Sequence, residues 1–155
     1  MRRLAALLAA ALVAAVAVPA IAGGGSGPQV VVRTTGGERV ASADARGGFA
    51  LAYRHSVYRA PAEERFRLAR GGFELYEIAS PSQAVLDYYA LDGTTVRQGE
   101  RWVLRPTARP RFSTLALAGT AVGRRTLVAG GERTPLWRAD GRPAHLRITV
   151  TGGGG

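Results

Sequence analysis

No cysteine and no lysine occur in the 155 residues, histidine appears only at His55 and His145, and methionine only at position 1. Without cysteine there are no disulfide staples, thiolate metal sites, iron–sulfur clusters or cysteine nucleophiles. Two histidines leave little for a histidine-rich metal site, so no metal and no cofactor is assigned. Without lysine, all 21 basic side chains are arginine, set against 11 acidic ones for a net charge of +10. Arginine is the better bidentate partner for carboxylates and phosphates. Here the arginines scatter from Arg33 to Arg147 with no basic block and no interleaved aromatics, which is not a nucleic-acid footprint. The abundance of alanine and glycine points to nucleotide-composition bias as the source of the arginine preference. What is present excludes disorder: 46% of the residues are hydrophobic, and the length suits a single domain.

Arg2 and Arg3 precede an uncharged apolar stretch, Leu4 to Ala22, that ends in Ala20-Ile21-Ala22. A basic start, an apolar core and a small-x-small ending predict a signal peptide over residues 1–22, and hence an extracytoplasmic location: periplasm, envelope or medium. The alternative is an uncleaved anchor, because the stretch nearly reaches the ~20 residues of a spanning helix. In that case the segment is the chain's membrane contact. Loss of residues 1–22 removes two arginines and leaves a net charge of +8. A glycine-rich linker over 23–28 then leads into a single β-rich domain over 29–151, and 152–155 form a glycine tail.

Short apolar runs separated by glycine pairs predict strands at Gln29–Thr34, Arg39–Ala43, Phe49–Tyr58, Glu63–Ala69, Phe73–Ile78, Arg101–Arg105, Phe112–Ala118, Arg125–Val128 and His145–Thr151. The expected fold is mainly β, an antiparallel β-sandwich or barrel-like sheet with one short helix. In Phe73–Ile78 each face carries two apolar residues and one glutamate, which leaves open the side that meets the core. Ser80-Pro81-Ser82-Gln83 has the form of a capping box, so the helix is expected over about Pro81–Leu91 with Ser80 as N-cap. Tyr88 and Tyr89 are expected on its buried face and rim.

The segment from Tyr53 to Phe66 is chemically the densest, and it reads as a hairpin around Pro61. Strand alternation would put Tyr53, His55 and Val57 on one face and Arg54, Ser56 and Tyr58 on the other. Adjacent His55 and Ser56 then point apart, which weighs against a serine hydrolase, and no glycine-bracketed serine motif is present. Glu63 and Glu64 likewise face opposite sides and do not form an acid–base pair. No catalytic residue is therefore assigned. His55 and Glu64 are expected to meet across the hairpin beside Arg54, Arg59 and Arg65. These five, with Ser56, form the candidate ligand or partner site; the bland reading is a structural histidine held by a glutamate.

The His55-Ser56-Val57 start, Pro61, Glu64 and the Phe66-Arg67 pair resemble the bacterial family called domain of unknown function 1850. That family shows a His-Ser-Val motif, a glutamate nine positions after the histidine, and an aromatic residue beyond. Leu127-Val128-Ala129-Gly130-Gly131-Glu132 and the following Leu136 are similar to its C-terminal pattern. The likeness spans most of residues 30–150. The chain departs from it at Ser80–Val85, where members usually carry a Gly-Ala-Gly type element. The resemblance implies a small exported protein without established catalytic activity, often encoded beside fused permeases of TAXI-type tripartite ATP-independent periplasmic (TRAP) transporters. The expected function is thus a non-enzymatic extracytoplasmic β-domain accessory to such a transporter, with the fused permease or its solute-binding protein as partner and no nucleic acid. The alternatives are an envelope hydrolase using His55 and Glu64, and a protein that binds anionic surfaces through arginine.

Overall fold

The computed structural model describes residues 27–152. The expected signal segment 1–22, most of the expected linker and residues 153–155 lie outside them. Twelve strands and one helix follow in order: β1 (Gln29–Thr34), β2 (Arg39–Asp44), β3 (Phe49–Arg54), β4 (Pro61–Ala69), β5 (Gly72–Ser80), α1 (Gln83–Asp87), β6 (Gly93–Gln98), β7 (Arg101–Pro106), β8 (Arg111–Phe112), β9 (Thr114–Gly119), β10 (Thr126–Ala129), β11 (Glu132–Pro135) and β12 (Ala144–Thr151). All pairings are antiparallel. A small sheet has the order β2-β1-β12-β9, and a large one the order β11-β10-β3-β4-β5-β7-β6, with β8 also paired to β5. The chain is a β-sandwich of two open sheets, not a closed barrel.

Period-two alternation decides what enters the sandwich. Val30 and Val32 of β1 and Leu146 and Ile148 of β12 meet Leu51, Phe66, Phe73, Leu75, Ile78, Leu104 and Leu127 of the large sheet in one core. Phe49 stacks on Phe66 at 4.9 Å between ring centroids and meets Phe73 edge-on at 5.0 Å. The turn before β3 depends on Gly48. Its φ is +81°, and a Cβ there would run into the Phe66 carbonyl oxygen.

The two-sided pattern of β5 is resolved by a bulge. Arg65 pairs with Glu77 but Phe66 with Leu75, so Tyr76 is an extra residue that shifts the alternation by one. Phe73, Leu75 and Ile78 consequently all enter the core, while Glu74 and Glu77 both reach the outer face. There Arg65 and Arg105 pair with Glu77 at 2.6 and 3.0 Å, and Arg67, Arg111 and Arg109 with Glu74 at 2.6, 3.1 and 3.5 Å. The arginine side chains leave the two carboxylates only 4% and 6% exposed.

Several boundaries differ from those read in the sequence. The strand from Phe49 ends at Arg54, because residues 56–58 form a turn, so the predicted face alternation does not extend to His55. Strands β6 and β11 were not expected, and Phe112–Ala118 splits into β8 and β9. The helix is a single turn, Gln83–Asp87, whose N-cap is Ser82 and not Ser80. Ser80 ends β5, fully buried, and its hydroxyl donates to the Pro61 carbonyl at 2.8 Å and accepts from the Ser82 amide at 3.1 Å. The hydroxyl thus ties β4 to the helix entry, and no capping box forms.

A polar cleft at one end of the sandwich

Leu51 and Phe66 are core residues, and Glu64 lies opposite the first and two positions before the second, so its side chain points inward. A carboxylate in that position needs polar partners. Tyr89, just beyond α1, donates to Glu64 Oε1 at 2.6 Å, and the Tyr89 and Tyr53 hydroxyls share a further hydrogen bond. Arg125 lies one residue before β10, and the Leu127–Leu51 register carries it beside Tyr53. Its guanidinium sits 4.7 Å from the Tyr53 ring centre and 3.6 Å from Glu64 Oε2. Two tyrosines, one glutamate and one arginine thus hold each other at the mouth of the core.

Electrostatics follow from this packing. Burial raises the Tyr53 phenol to about 12, with the hydrogen bond shared with Tyr89 opposing it and the Glu64 charge adding to it. Tyr89 is pushed up as well, first by burial and then by the charge of Glu64. Both phenols are neutral donors across the physiological range.

The cleft has a volume of about 490 Å³, and its walls include Tyr53, Glu64, Tyr89 and Arg125 together with His55, Ser56, Thr120 and Val122. His55 is 6% exposed. Its ring packs 4.8 Å from Tyr88, edge to face, and 5.2 Å from Tyr58. The amides of Val57 and Tyr58 both donate to His55 Nδ1 at 3.3 Å, which leaves the proton on Nε2. The imidazole is therefore fixed by its own turn.

Of the six residues singled out in the sequence, His55, Ser56, Glu64 and Arg54 line this cleft. The expected bond between His55 and Glu64 is not present: backbone amides hold the imidazole, and Tyr89 and Arg125 hold the carboxylate. Arg65 lies on the opposite face of the sheet, bound to Glu63 and Glu77. Arg59 caps the turn with φ of +56°, and its carbonyl accepts from Arg54 Nε at 3.1 Å. Sequence reasoning missed Tyr53, Tyr89 and Arg125 as partners of Glu64. Inward alternation could have flagged Tyr53, but the contacts of Tyr89 and Arg125 are non-local. Among the described residues no group of three His, Cys, Asp or Glu is placed to hold a metal ion, and no helix is long and apolar enough to cross a membrane.

Fold and cleft together define a two-sheet antiparallel sandwich domain with a built polar site at one end. A family model described as Domain of unknown function (DUF1850) matches residues 49–136, more than half of the chain, and the protein belongs to that family. The match begins at the first residue of β3 and ends just past β11. It holds the whole large sheet and every residue of the polar cluster, while β1, β2 and β12 fall outside it. No curated protein and no solved structure matches the chain.

Proposed function

We propose that this protein is an exported, non-enzymatic β-sandwich domain accessory to a TAXI-type TRAP transporter, and that the polar cleft is where it meets the fused permease or its solute-binding protein. The observation that carries the reading is the half-buried, inward-pointing Glu64 held by Tyr89 with Arg125 beside it. The Arg125 guanidinium pairs with Glu64 at 3.6 Å but makes no side-chain hydrogen bond among the described residues, so its donors stay available to an incoming acceptor. Membership of the family and the basic, apolar residues 1–22 support the transporter and the export. A hydrolase reading draws no support from the cleft, because His55 contacts neither Ser56 nor Glu64 through a hydrogen bond.

Co-purification of the tagged chain from native membranes tests the proposal. Transporter subunits are expected with the wild type and not with Arg125→Gln, which should remain folded by circular dichroism. Equal recovery with both variants would remove the cleft from the interaction, and absence of transporter subunits from the wild type would remove the accessory role. Ester or peptide turnover that disappears in His55→Ala would establish the enzyme instead.

A further inference from the structure

A second groove adjoins the polar cleft, with Tyr53 and Arg54 lining both, and opens chiefly on the outer face of the large sheet. Its volume is about 580 Å³. Small residues, Ala52 and Ala62 with Pro61, line it between β3 and β4, and five arginines converge on it: Arg54, Arg59, Arg101, Arg124 and Arg133.

These arginines differ from those over β5. Arg65, Arg67, Arg105, Arg109 and Arg111 are each matched to Glu63, Glu74 or Glu77. None of the five at the groove forms an ion pair among the described residues. Neutral groups orient three of them. The Arg59 carbonyl accepts from Arg54 Nε at 3.1 Å, the Ala79 carbonyl accepts from Arg101 Nη2 at 3.4 Å, and the Arg124 guanidinium lies 5.6 Å from the Trp137 ring centre. Such partners fix a guanidinium without neutralising it. Two carboxylates line the groove, but Arg65 takes Glu63, which leaves Glu100 alone against five positive charges. The backbone adds a further sign. Arg59 and Arg124 have φ of +56° and +46°, and they are two of the three non-glycine residues with positive φ among the described residues. Such backbone strain must be offset by the surrounding structure, and it concentrates at binding sites.

We propose that this groove binds a compact ligand bearing several phosphoryl groups. The guanidinium fork matches phosphoryl oxygens, and linked phosphates place three or four negative charges within the span of one groove. This inference does not rest on the transporter proposal: Tyr53 and Arg54 border both sites, but Glu64, Tyr89 and Arg125 lie outside the groove.

Calorimetric titration of the full chain with tripolyphosphate at low salt tests it. Saturable binding is expected that weakens steeply as salt rises, is much tighter than that of monophosphate, and falls ~10-fold or more in Arg54→Gln/Arg101→Gln/Arg133→Gln. Arg33→Gln/Arg39→Gln/Arg147→Gln removes equal charge from the small sheet and is expected to leave binding intact. Equal loss in both triple variants would reduce the effect to net charge and overturn the site, as would tripolyphosphate binding no better than monophosphate. Phosphatidylglycerol vesicles separate the two sources of phosphoryl groups. Tripolyphosphate binding without a difference in vesicle retention between wild type and groove variant identifies a free phosphate ligand. Vesicle retention lost in the groove variant identifies a lipid headgroup. Binding to neither overturns the proposal.

Discussion

Tyr53 and Tyr89 should make this protein unusually sensitive to alkali, and the absences in its sequence make that sensitivity measurable. With no lysine and no cysteine, tyrosines dominate side-chain titration between about pH 9 and pH 12. The Tyr53 phenol moves from its usual 10 to about 12 on folding, chiefly through burial, and Tyr89 moves the same way. A raised native value means that the unfolded chain loses its proton first. The stabilisation is therefore complete below about pH 10 and is lost as pH climbs through the native value. At about pH 11 the unfolded phenols are largely ionised and the native ones are not, which costs about 1.4 kcal/mol per tyrosine. Tyr53 is partly exposed, so solvent screening trims the pair to about 2 kcal/mol in total. Urea unfolding at a series of pH values should show that loss between about pH 9 and pH 11. In Tyr53→Phe/Tyr89→Phe stability at neutral pH should be lower, since Glu64 loses its donor, but the alkaline decline should be mostly abolished. A double variant that declines as steeply as the wild type would refute the placement of these phenols in a buried site.

Other outcomes follow from the same contacts. Glu64→Gln removes a charge that raises Tyr53, so its phenol should titrate below about 12 yet above 10, because burial remains; phenolate absorbance reads this directly. Ser80→Ala should cost about 1–3 kcal/mol in urea unfolding, since it strips partners from the Pro61 carbonyl and the Ser82 amide at a fully buried site. Glu74 is held below the usual carboxylate range by its hydrogen bond from Arg67, with Arg111 assisting. Its stabilisation is present above the unfolded value near 4.5 and is lost as pH falls through the native one, so Glu74→Gln should flatten the acid limb of the stability curve.

Strand periodicity and turn chemistry were legible in the sequence. β1 carries its predicted bounds, Gln29–Thr34, and β7 and β12 match theirs within a residue at each end. Alternating valine and leucine runs between glycines leave few other structures to adopt. The His55–Glu64 segment stood out for the density of its chemistry, and both residues do line one cleft. The errors there were of local conformation. The aromatic and β-branched residues near His55 continue the strand pattern through it, yet its ring is bound by two amides of a turn. Ser80 was read as a helix cap because Ser-Pro-Ser-Gln has the right spacing, yet the bulged β5 runs on through it and buries it against Pro61. The missed strands have clear reasons. Two of the four residues of β11 are charged, and β6, at the sheet edge, has no buried residue, so neither shows a hydrophobic period.

The sequence by itself determined most of the sheet-forming segments, the glycine turns, the all-arginine charge and the family, because each is written in residues close together in the chain. Only the tertiary structure decided which partners those residues take. The bulge at Tyr76 sends Glu74 and Glu77 outward to five arginines while Glu64 stays inside. Antiparallel pairing then brings Tyr53 and Arg125, and the packing of the segment after α1 brings Tyr89, from far apart in the chain to that one inward-pointing carboxylate. The physical reason is that a carboxylate withdrawn from water requires donors wherever the fold places it, and the donors that arrive are set by strand register and sheet packing over distances that local sequence does not encode.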